Sequence, residues 1–92
     1  MSEDTEQVAP SREDRFEIIV DTVAHVVHDP RVTWKHVVDI AYPGQAEDPK
    51  YVFKVQYEDA ESDPTSGTLV KGGHVRVKRS GTIFSVLRSV VS

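Results

Sequence analysis

No cysteine occurs in this 92-residue chain. That absence removes disulfides, thiolate metal ligands and cysteine nucleophiles together, and it leaves the redox compartment open. Long apolar runs are missing as well: no stretch approaches the roughly 20 apolar residues of a membrane-spanning helix, and the N-terminus has no hydrophobic segment of the kind that directs secretion. A soluble, cytoplasmic protein without a membrane partner is expected. No Ser, His and acid fall into an arrangement suited to nucleophilic work, and Asp and Glu lie mainly in the first residues and in loops. The chain is therefore read as a non-enzyme that needs no cofactor. Its length suffices for one domain with a single small core.

Acid is absent from one end. Between Gly67 and Ser92 there is no Asp or Glu beside Lys71, Arg76, Lys78, Arg79 and Arg88. Residues 1–14 are the opposite, with Glu3, Asp4, Glu6, Glu13 and Asp14 against Arg12 alone, a net charge of −4. That stretch, polar and poor in apolar groups, reads as a disordered, solvated leader. A basic C-terminal third could meet nucleic acid or an acidic groove. Five charges spread over two strands read instead as a solvated face, and nucleic acid is not expected as a partner.

Alternation organises the rest. Phe16, Ile18 and Val20 share one side of a strand, Asp21-Thr22 makes a turn, and Ala24 to His28 returns as a second strand. Asp29-Pro30 stops it. Thr33 then caps a helix over Trp34–Ala41, whose apolar face is Trp34, Val37, Val38, Ile40 and Ala41, with Pro43-Gly44 at its end. Trp34 reads as a core anchor. A third strand over Tyr51–Tyr57 alternates aromatic and polar residues, and an acidic loop runs to Gly67. Short strands at Thr68–Val70 and His74–Lys78 flank a Gly72-Gly73 turn, and a terminal strand runs from Thr82 to Val90. The expected core is Phe16, Ile18, Val20, Val37, Ile40, Phe53, Val55, Val75, Val77, Ile83 and Val86.

Four histidines raise the question of a metal. His25 and His28 sit three apart on a strand, an odd spacing that sends their side chains to opposite faces, so no metal site is expected there.

The terminal run Thr82-Ile83-Phe84-Ser85-Val86-Leu87-Arg88 resembles the last strand of the ubiquitin family, where Ser-Thr-Leu-His-Leu-Val-Leu-Arg leads into a diglycine. Thr82, Ile83, Val86, Leu87 and Arg88 match in type and order. More of the chain, from Val32-Thr33 through Val37-Val38-Asp39-Ile40-Ala41 to Leu69-Val70-Lys71-Gly72-Gly73-His74-Val75-Arg76-Val77-Lys78 and Gly81–Val86, resembles a single unit of the bacterial multiubiquitin family, over roughly residues 15 to 92. That resemblance implies an α+β, ubiquitin-like β-grasp: a mixed four- to five-stranded sheet on one helix, with the first and last strands parallel at its centre. The domain would span residues 15–88, with 89–92 as a flexible tail. It also implies a modifier whose C-terminal carboxylate is activated and joined to target proteins. Its partners would be an activating enzyme, a conjugating enzyme and a deubiquitinase-like protease of the same operon.

The tail departs from the ubiquitin pattern. No glycine follows Gly81, and Val90-Val91 stands where a permissive backbone is expected. Three readings stay open: a modifier used at Ser92 or after processing, a docking module that is never conjugated, or a variant unable to conjugate. The candidate conjugation tail is Arg88, Ser89, Val90, Val91 and Ser92, expected to leave the sheet. Lys35, Lys50, Lys54, Lys71 and Lys78 are candidate acceptors of self-conjugation. Ile19, Val52 and Val75 are candidates for a partner surface, each of which could equally be core. Removing residues 1–14 is expected to shift the melting temperature by no more than a few degrees, since an acidic leader has little to bury. Thermal denaturation of the two forms tests this, and a fall of many degrees would make the leader part of the fold.

Overall fold

The computed structural model describes residues 15–91. The leader read at 1–14 and the terminal Ser92 lie outside the described residues. In chain order the elements are β1 (Phe16–Val20), β2 (Val23–Val27), β3 (Arg31–Thr33), α1 (Trp34–Ala41), β4 (Tyr51–Glu58), β5 (Gly67–Leu69), β6 (His74–Arg76) and β7 (Ser80–Val90). A five-stranded sheet has the order β2-β1-β7-β4-β5, and β3 pairs with β6 in a separate two-stranded ribbon. β1 and β7 are parallel, Ile18 beside Thr82 and Val20 beside Phe84; the other pairs are antiparallel. α1 crosses β1, β4 and β7 on one face. One helix on a mixed sheet, with the first and last described strands parallel at its centre, is the β-grasp.

Local chemistry places each element. The β1–β2 hairpin closes through Asp21 and Thr22, both at positive φ (49° and 72°), the pair of left-handed residues a two-residue hairpin turn needs. Thr33 caps α1, its Oγ1 accepting from the His36 N–H at 3.1 Å. The helix start is tied to the approach to β6 by the Trp34 N–H, which donates to the Gly73 carbonyl at 3.1 Å. Gly72, at φ +85°, lets the chain turn there, and the Gly73 N–H closes that turn on the Val70 carbonyl.

The core is a sandwich of helix and sheet. Val37, Val38 and Trp34 of α1 meet Ile18, Val20, Phe53, Val55, Tyr57, Phe84 and Val86, while Phe16 and Ile40 are half-buried at its margin. Trp34 and Phe53 meet edge to face, ring centroids 6.2 Å apart. Val32, Val75 and Val77 fill the side under the ribbon. The single buried polar side chain among the described residues, Thr82, is satisfied twice: its hydroxyl accepts from the Lys78 N–H at 3.0 Å and donates to the Asp59 carbonyl at 2.8 Å. On the outer side of the ribbon Arg31 lies directly opposite Arg76.

Three expectations are corrected. Ile83 is not core: it is 37% exposed, and Phe84 beside it is fully buried. Side chains alternate along a strand, so Ile83 and Val86, an odd number apart, cannot share a face. The buried set is Thr82, Phe84 and Val86. Second, β3 was not anticipated, because three residues are too few to display a period and only their pairing with β6 defines them. Third, residues 89 and 90, read as the start of the tail, lie within β7. Ser89 is paired with Val52 and Val90 with Tyr51.

Phe53→Ala and Phe84→Ala should each cost about 3–5 kcal/mol, a large share of a small domain's stability. Ile83→Ala should cost about 1 kcal/mol or less, as at other exposed positions. Urea denaturation of the three variants tests the face assignment of β7; an Ile83→Ala penalty equal to that of Phe84→Ala would reverse it.

Candidate functional site

The chain leaves the fold along β7. On one flank β7 is covered by β1 only as far as Phe84, and there the cover ends in a single side chain: the Asp21 N–H donates to the Phe84 carbonyl at 3.0 Å, and Asp21 Oδ1 accepts from the Val86 N–H at 3.0 Å. The carboxylate thus takes the place of the next strand residue. Beyond Val86 the ladder to β4 continues on the other flank through Leu87–Val90, and the Val91 N–H donates to the Lys50 carbonyl at 2.8 Å. Leu87, Arg88, Ser89, Val90 and Val91 are all exposed, Val90 at 72%.

Arg88 is the expected tail residue with the most contacts. It follows Thr82, Phe84 and Val86 on the helix-bearing face, opposite Phe53. Its guanidinium carbon lies 4.6 Å from the centroid of Tyr51 and 4.9 Å from that of Tyr42, and Nη1 donates to Gln45 Oε1 at 2.8 Å. Strand, helix end and following loop thus each supply one contact. Arg88 is therefore fixed to the sheet, where the sequence had led us to expect it to leave. A strand pairs for as long as its partner does, and Tyr51 and Val52 extend β4 far enough to hold Ser89 and Val90. Ser92 lies outside the described residues. Beside the exit is a groove of about 380 Å³, lined by Trp34, Ala46, Tyr51, Phe53, Lys71 and Val91 among others.

Among the described residues, no helix lies on the opposite face of the sheet. Ile19 pairs with Ile83, and Leu87 and Val52 lie further along the same face, Leu87 62% and Val52 56% exposed. Ile19 itself is half-buried. Of the three partner-surface candidates, Ile19 and Val52 therefore share this face. Val75 does not. It is 3% exposed and paired with the buried Val32, and its two neighbours His74 and Arg76 face out. The residues that complete the face, Ile83 and Leu87, were missed as a pair. The contrast between Phe84 and Ser85 is the signal that could have set the parity.

The cations do not form one patch. Lys71 lies over Trp34 at 5.7 Å, Arg79 over Phe16 at 5.3 Å and Lys50 over Tyr51 at 5.8 Å, while Lys35 pairs with Glu47 at 3.9 Å. Among the described residues no group of three His, Asp or Glu side chains is arranged to hold a metal ion. No described helix is long and apolar enough to cross a membrane.

A helix grasped by a mixed sheet whose central last strand carries an arginine toward its exit defines a ubiquitin-like domain. The model of the Multiubiquitin family matches residues 16–89, and the chain belongs to that family. Comparisons with curated proteins and with solved structures found no match.

Asp21→Ala should destabilise the domain by about 1–2 kcal/mol, because it strands the Val86 amide, whereas Asp21→Asn, which keeps an acceptor oxygen and tolerates positive φ, should cost clearly less. Chemical denaturation of both variants is the check, and equal penalties would remove the carboxylate from this role.

Proposed function

We propose that this protein is a ubiquitin-like modifier whose C-terminal carboxylate is activated and joined to target proteins, at a non-glycine terminus or after processing. The observation that carries the reading is the course of β7. It runs from the centre of the sheet past the end of β1 and brings Leu87–Val91 out with every side chain exposed and, among the described residues, only β4 alongside. A segment held on one flank can be peeled away without opening the core, which is what threading into an enzyme cleft demands. The domain does no chemistry of its own in this reading. An activating enzyme would adenylate the carboxylate, releasing pyrophosphate. The acyl group would pass to a cysteine or hydroxyl of these enzymes as AMP leaves, a conjugating enzyme would join it to a target amine with release of that side chain, and a deubiquitinase-like protease would process or reverse the linkage. The cytoplasm is the compartment such enzymes share.

The bulk of Val90 and Val91 sets a condition on those enzymes. Their clefts must accept β-branched residues where glycine would pass most closely. A second reading, a docking module that binds partners without being conjugated, is favoured by the exposed row of Ile83, Leu87 and Val52 on the helix-free face.

Incubation with cognate activating and conjugating enzymes and ATP should give covalent species of higher mass, and deletion of residues 88–92 should abolish them. If no adduct forms, before or after treatment with the cognate protease, the docking reading takes its place.

A further inference from the structure

We propose that Arg88 is a clamp that holds the C-terminal segment closed against β4, so that release of this one side chain sets how often the chain end is free. The inference builds on the reading of that segment as a conjugation tail. Asp21 makes the last contact on the β1 flank, at Val86. Past that point the side chains of Leu87, Ser89, Val90 and Val91 are exposed and bury little. Among the described residues, what then holds the segment is the backbone ladder to β4 and the three contacts of Arg88 with Tyr42, Tyr51 and Gln45.

The residue type matters. Position 88 falls on the same face as Phe84 and Val86, both core residues. An apolar side chain there would extend the core and hold the segment by burial. Arginine holds it differently, stacking on ring faces while its charged head stays within reach of water. It can let go without withdrawing a side chain from the core. The clamp is also anchored on parts of the fold that do not move with the tail, since Tyr42 ends the helix and its N–H donates to the Val38 carbonyl at 2.7 Å.

The ladder supplies the probes. The Val91 N–H points at β4, and in an antiparallel pair this orientation recurs every second residue, so the Ser89 and Leu87 N–H groups point the same way. Hydrogen exchange at Ser89 and Val91, followed by NMR on the full chain, reads opening of the segment directly. Arg88→Ala should speed exchange at both about tenfold, equal to about 1.4 kcal/mol of lost holding free energy. Exchange over Thr82–Val86 should stay unchanged. Gln45→Ala, which removes only the hydrogen bond, should give a smaller increase at the same two amides. Unchanged exchange at Ser89 and Val91 in Arg88→Ala would overturn the clamp. So would an equal acceleration along all of β7, because Arg88 would then support the whole fold. Adduct assays separate this result from the conjugation reading: faster exchange with no adduct from any form of the chain sinks that reading and leaves the clamp in place.

Discussion

The parallel pairing of β1 with β7 is the constraint on which the domain rests. It joins the first described strand to the last, Ile18 to Thr82 and Val20 to Phe84, and so closes a loop containing nearly every other element. Such a contact is slow to find, because chain entropy must be spent before the pairing returns anything. Once made, it creates the surface everything else uses. Ile18, Val20 and Phe84 become one apolar floor for α1, β4 adds to the free side of β7, and β5 adds to β4. Asp21 sits where this pairing stops. Its positive φ turns the hairpin while its carboxylate meets the next amide of β7, so a single residue ends one strand and steadies another.

Much of this was legible in the residues. Thr33 before an apolar helical face, alternation from Tyr51 to Tyr57, and a turn at Gly72-Gly73 are local signals, and the structure follows them closely: α1 begins at Trp34 and β4 at Tyr51. What escaped was set by partners. β3 exists because β6 lies beside it. Ile83 and Val86 both match the related strand by residue type, yet the pleat places them on opposite sides of β7.

The site was legible in position and not in state. Arg88–Val91 is indeed where the chain emerges. That Arg88 would lie between Tyr42 and Tyr51 could not be read from spacing, because the three come from a helix end and two strands far apart in sequence. The same holds for the other basic residues. Lys71 and Arg79 each settle on an aromatic ring, Trp34 and Phe16, so a charge run in the sequence becomes a set of separate contacts. Val75 shows the limit from the other side. In a strand of alternating Val and cation, the valine is the residue that packs inward.

The ribbon of β3 and β6 places Arg31 directly across from Arg76, and like charges opposed on a ladder repel. Dissolved ions screen such repulsion over a distance of about 10 Å at 0.1 M ionic strength. A repulsion of this kind weakens as ionic strength rises, in the sense contrary to an ion pair.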